Sequence, residues 1–339
     1  MIIKKIAFVI FLLIAILFFC YYLQPLKTGK GIDKKTKFEI VNNWPQLPDS
    51  FILGNPAGIA VDSNQNLVVF YRGKRKWPLI SFMPETYISS KTILILDQNS
   101  GKIIANWGEN LFIMPHGLTV DKDNNIWVTD VGLHQVFKFT NDGKLLLKLG
   151  EAKISGNDSL HFNRPTDIAV APDGCFYVSD GYGNSRVIKF SSSGKYLFEW
   201  GTKGSKEGQF DIPHAIDLDQ RGNVYVADRE NSRIQIFDST GKFLKQFANK
   251  NFGAICSVVY DKSANKLVAV DDVSFLKLKH RGSDVLIFDL TGKVQTRFGR
   301  SGFYDGSTCW YHDVAVDKEG TVYVADILKN RIQKFRRVN

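Results

Sequence analysis

At 339 residues, 44% hydrophobic and 23% charged, the chain has the composition of a folded protein, which excludes a largely disordered one. Its net charge of +10 does not indicate nucleic acid. Lys4, Lys5, Lys27, Lys30, Lys34, Lys35 and Lys37 stand against Asp33 in the first 37 residues, leaving only +4 for the rest.

In chain order, the first feature is the unbroken apolar run Ile6 to Leu23, 18 residues behind Lys4 and Lys5. It approaches the ~20 residues needed to cross a bilayer and reads as a transmembrane signal anchor or long signal peptide over residues 1–24. A lysine-rich linker follows at 25–36. The lysines behind the run favour a cytoplasmic flank by the positive-inside rule. The autonomous domain that follows favours export, so the expectation is a propeller held on the extracytoplasmic side, or secreted if the segment is cleaved.

From residue 37 onward the sequence repeats. PAGIAVD (56–62), PHGLTVD (115–121), PTDIAVA (165–171), PHAIDLD (213–219), ICSVVYD (255–261) and YHDVAVD (311–317) each open a unit. A second alternating strand follows, such as NNIWVTD or GNVYVAD, then a third with an aromatic end, HQVFKF or SRIQIF. A fourth comes after a Gly-Lys turn, as in GKYLFEWG. Six such units predict an all-β, six-bladed β-propeller of NHL type over 37–339. The last unit stops after its third strand, and TKFEIVNNW near residue 40 is expected to supply the missing fourth strand and close the ring.

The first strand of a blade lines the axial channel. One slot on it holds Ala57, His116, Thr166, His214, Cys256 and His312. Histidines in alternate blades would stand about 120° apart by symmetry and converge on the axis, a common way to hold a catalytic zinc with an open position. Water-satisfied channel lining is the bland alternative. Cys309 is a rival ligand, and His134, His161 and His280 read as surface residues. The loops after the second strands return to the histidine face. There Arg72 and Tyr182 could bind an anion and move a proton, and the long excursion Arg72 to Lys91 could cover the site. Apart from Cys20 in the apolar run, Cys175, Cys256 and Cys309 form no disulfide framework.

The runs LVVFYRG, MPHGLTVD, DVGLHQVFKF, SDGYGNSR, GQFDIPHAI and YHDVAV resemble the peptidyl-α-hydroxyglycine α-amidating lyase family, the lyase domain of the peptidylglycine α-amidating monooxygenases. The resemblance covers residues from about 44 to the last blade. It implies zinc at His116, His214 and His312, catalytic roles for Arg72 and Tyr182, and a structural calcium on Asp313 and the carbonyls of Ile59 and Leu118. It implies a peptide or small carbinolamide substrate, cleaved at the carbinolamide C–N bond to an amide and glyoxylate, with Tyr182 accepting the hydroxyl proton. The expected protein is a monomer, bound to the membrane through its N-terminal segment. Two cysteine pairs of the family are replaced, at Asn163 and Gly183 and at Tyr225 and Ile236; Trp310 and Tyr311 replace its Met-Pro. No copper monooxygenase domain is seen in these 339 residues, so hydroxylated substrate is expected from elsewhere. The competing readings are a membrane-anchored propeller that binds a protein, peptide or glycan without catalysis, and a metal-dependent hydrolase.

Overall fold

The computed structural model describes residues 38–78, 83–272, 283–299 and 309–338. The apolar run, the linker and His280 lie outside these residues; among the described residues no helix is long and apolar enough to cross a membrane.

Six four-stranded antiparallel sheets form the fold. Strand β1 (Phe38–Ile40) precedes the first blade, β2 (Pro56–Val61), β3 (Leu67–Tyr71), β4 (Ile93–Leu96) and β5 (Ile103–Trp107). The second blade is β6 (Pro115–Val120), β7 (Ile126–Asp130), β8 (Gln135–Phe139) and β9 (Leu145–Leu149). The third is β10 (Asp167–Val170), β11 (Phe176–Asp180), β12 (Arg186–Phe190) and β13 (Tyr196–Trp200). The fourth is β14 (Pro213–Leu218), β15 (Val224–Asp228), β16 (Arg233–Phe237) and β17 (Phe243–Ala248). The fifth is β18 (Ala254–Asp261), β19 (Lys266–Asp272), β20 (Asp284–Phe288) and β21 (Val294–Gly299). The sixth has β22 (Tyr311–Val316), β23 (Val322–Asp326) and β24 (Arg331–Arg337), and β1 pairs antiparallel with β24, placing Ile40 opposite Phe335. First strands pack in a closed circle, β2 on β6, β6 on β10, β10 on β14, β14 on β18, β18 on β22 and β22 back on β2. This is a six-bladed β-propeller.

Burial follows position in the blade. Strands β3, β7, β11, β15 and β23 are buried at every residue, whereas the outer β9 and β13 are exposed or half-buried throughout. A second strand sandwiched between neighbouring blades needs apolar side chains on both faces, and an outer strand does not. The repeated aspartates hold the turns. At the end of the first strand, Asp121 Oδ1 accepts the amides of Asp123 and Asn125, and Asp219 does the same for Arg221 and Asn223. At the end of the second strand, Asp228 is buried, accepts the Asp211 amide and pairs with Arg233 at 2.7 Å. Removing one partner of such a buried pair costs about 3–5 kcal/mol.

Candidate metal centre

His116, His214 and His312 are each the second residue of a first strand, and at each the ladder slips by one residue against the second strand. A β-bulge lets the extra residue leave the pleat and re-aims its side chain, here toward the axis. The same slip occurs at Ala57 and Cys256, so Cys256 holds the fifth blade's slot. All six slot residues line one narrow axial cavity of about 10 Å³.

The alternation is matched by a shared hydrogen-bond pattern. Each histidine donates from Nδ1 to the backbone carbonyl of the next blade's slot residue: His116 to Thr166 at 2.7 Å, His214 to Cys256 at 2.6 Å and His312 to Ala57 at 2.7 Å. A carbonyl can only accept, so Nδ1 carries the proton and Nε2 keeps its lone pair. The three rings are nearly equidistant, with centroids 4.7, 4.8 and 4.9 Å apart and planes inclined by 70–73°. Their potential ligand atoms lie within 4.8 Å of one another. Burial, reinforced by neighbouring histidines and arginines, holds His116 and His214 well below the ordinary imidazole value; burial, then Arg72, pushes His312 down to about 3. Three buried, neutral imidazoles with fixed tautomers and convergent lone pairs fit a divalent metal. Among the described residues this cluster does not include Cys309, which is buried elsewhere, its carbonyl accepting the Ser283 hydroxyl.

The second-strand loops bring Arg72 and Tyr182 to the same place. The Tyr182 hydroxyl lies 3.1 Å from His116 Nε2 and 2.9 Å from His214 Nε2. Arg72 is 1% exposed; its Nε donates to Pro115 O, and its Nη2 is buried without a hydrogen-bond partner. Such an orphaned donor beside the cluster is a ready anion contact. Sequence reasoning missed Arg229. Its Nη1 donates to the Tyr182 hydroxyl at 3.2 Å, and Glu230 holds the other side of the guanidinium. Arg229 follows β15 as Arg72 follows β3, so the shared register was the available signal. Trp77, from the long excursion, packs on Tyr182 with centroids 5.0 Å apart and lies under Arg72 Cζ at 5.2 Å.

Burial raises the Tyr182 phenol above the ordinary value, opposed first by Arg229 and then by Arg72, so the chain alone keeps it protonated. His134 and His161 are not simply exposed: both are half-buried, His134 Nδ1 accepting the Arg164 amide and His161 Nδ1 contacting Asp158.

One residue beyond the histidine slot, Asp313 and Asp167 stand in the sixth and third blades, opposite across a six-fold ring. Asp313 accepts the Ile59 amide at 2.7 Å and the Ser257 hydroxyl at 2.6 Å, and Asp167 accepts the Ile216 amide. Leu118 is buried on β6, its backbone nitrogen beside Gly58. Burial first, then other carboxylates, raises both aspartates, Asp313 to about 7. The close packing needs Gly117, whose missing Cβ would lie 2.3 Å from Thr166 O.

An NHL-repeat family profile matches residues 112–139, 162–190 and 210–237. Peptidyl-glycine alpha-amidating monooxygenase B of Xenopus laevis is 37% identical over 92% of this chain and 37% of its own length. Peptidyl-alpha-hydroxyglycine alpha-amidating lyase 1 of Drosophila melanogaster is 35% identical over 87% of this chain and 59% of its own length. The chain therefore spans little more than a third of the monooxygenase and under two thirds of the fly lyase. NHL repeat-containing protein 3 of Homo sapiens is 30% identical over 90% of this chain and 86% of its own. The solved streptogramin B lyase shares the fold at 16% identity, with a TM-score of 0.57 over 88% of this chain and 98% of that one.

Proposed function

Because the chain belongs to the NHL-repeat propellers, and among them to the family of the peptidyl-α-hydroxyglycine α-amidating lyases, we propose that it cleaves a peptidyl-α-hydroxyglycine or related carbinolamide to an amide and glyoxylate. One observation carries this reading: three histidine Nε2 atoms, a phenol oxygen within 3.1 Å of two of them, and two arginines converge at one end of the axis.

The histidines would hold zinc, whose chemistry there is Lewis acidity toward the substrate's α-hydroxyl. The chain's own groups handle the charge and the proton. The C–N bond breaks with its electron pair going to nitrogen, the hydroxyl loses its proton, and the leaving amide nitrogen gains one. Tyr182, protonated at rest, suits a relay that gives its proton to that nitrogen while taking the one from the hydroxyl. Arg229 fixes the phenol oxygen and supports its transient negative charge. Arg72, with Nη2 unpaired, binds the terminal carboxylate of the hydroxyglycine. Calcium, held by Asp313 and the Ile59 and Leu118 carbonyls with Asp167 opposite, would relieve the repulsion between the buried carboxylates. The reading also places the propeller outside the cytoplasm, tethered by residues 6–23 or released from them.

The test is metal content of the full-length protein purified in detergent, followed by glyoxylate release from an α-hydroxyglycine peptide. About one zinc per chain is expected, lost together with glyoxylate release in His214→Ala. Zinc without glyoxylate would remove the substrate assignment. Absence of zinc from the folded wild type would favour the binding-propeller reading.

A further inference from the structure

Loops before first strands and between second and third strands share the histidine face, and two open grooves lie among them. One is lined by Phe51, Ile52, Asn330 and Arg331, the other by Tyr87, Ser89, Lys91 and Glu109; Lys74, Arg75 and Lys76 line both. This basic tract spans the gap between two residues already placed in the site. Arg72 precedes it, with its guanidinium turned toward the histidines, and Trp77 follows it, packed on Tyr182 and, at 6.2 Å, on His116. Lys74–Lys76 therefore lie on the short stretch that joins two residues of the site.

The usual reading of such a charge run is a solvated loop, and three observations argue against it. The grooves have apolar walls that face water, Ile52 being 54% and Tyr87 43% exposed. Arg75 is folded back, its Nη2 donating to Thr86 O at 3.0 Å while its Nη1 is buried without a hydrogen-bond partner. The charge is one-sided, since Glu109 is the acidic residue among the groove linings and faces Lys74, Arg75, Lys76 and Lys91. We propose that this tract is the docking surface for an acidic, partly apolar segment of the substrate peptide, immediately upstream of its hydroxyglycine. The assignment deepens the lyase reading and rests on it. Rim charges of this kind choose among partners and speed encounter, and salt screens them.

The test measures binding and turnover separately on the full-length protein. Labelled peptides ending in Phe-Gly, which are not cleaved, carry Glu or Lys at the positions upstream, and binding is read by fluorescence anisotropy. The Glu peptide is expected to bind about tenfold tighter than the Lys peptide at low salt, with the gap closing near about 0.5 M salt. In the Lys74→Glu, Lys76→Glu double variant the order should reverse. Glyoxylate release from N-benzoyl-α-hydroxyglycine, which has no upstream chain, reports the reaction without the grooves. Equal affinities for both peptides in both proteins would overturn the docking surface, even with the small substrate cleaved. The charge preference without glyoxylate from any substrate would keep the surface as an acidic-peptide site and remove the lyase assignment.

Discussion

Tyr182 sits at the junction of the cluster and the arginines, because its hydroxyl lies against two histidine Nε2 atoms and accepts a hydrogen bond from Arg229. Burial alone would make it inert, and the two arginines only partly offset that. In the chain alone the phenol is therefore neutral, which suits the proposed relay. Tyr182→Phe keeps the ring contacts with Trp77 and His116 and removes only the oxygen. We expect kcat to fall about 100-fold or more, with metal content unchanged by elemental analysis. Near-normal turnover in that variant would eliminate Tyr182 as the proton carrier. The histidines were legible in the sequence because few histidines occur and three share one repeat register. Arg229 was passed over, since VADRENSR reads as ordinary repeat text, although its place directly after the second strand matches that of Arg72. Nor were the Nδ1 partners, because backbone carbonyls leave no mark in side-chain identity.

At the scale of the strand, the repeat announced four strands per blade, and each pattern matches the burial it produces. What it could not announce is the one-residue slip at the head of the first strands, which turns the slot side chain from the blade into the axis. A bulge depends on pairing with β7, β15 or β23, not on a local residue type. The paired loss of the family's cysteines has a geometric counterpart here. The Gly183 amide donates to Asn163 O at 2.9 Å, and a Cβ on Gly183 would fall 2.1 Å from Asn163 Cγ. Tyr225 and Ile236 are register partners on β15 and β16. Restoring the first pair as Asn163→Cys with Gly183→Cys should therefore form a disulfide. It would close a loop of about 20 residues and add about 3 kcal/mol. Thermal melting with and without reductant measures this, and oxidised protein that retains both free thiols would contradict the adjacency.

The whole ring is held at its rim and at its hub. At the rim, β1 completes the last blade, with Phe38 stacked on Phe298 at 4.6 Å. That strand was legible because one blade lacked a fourth strand and one strand lacked a blade. At the hub, Asp313 joins the sixth blade to the first and fifth through Ile59 and Ser257, and Asp167 joins the third to the fourth through Ile216. Both carboxylates are raised, Asp313 to about 7, and Asp217 beside them to about 6. Folded values above unfolded ones mean that the fold prefers these groups protonated. Without a cation, the contribution of these carboxylates to stability is then fully present below about pH 4 and is lost as pH rises toward about 7, while the buried neutral histidines act with the opposite sign. A bound calcium needs the ionised forms, so its stabilisation should grow across the same window. Melting curves at about pH 5 and pH 7.5, with calcium or a chelator, should separate only at the higher pH, and Asp167→Asn should abolish most of the separation. Identical curves at the higher pH would show that the hub is closed by its hydrogen bonds alone.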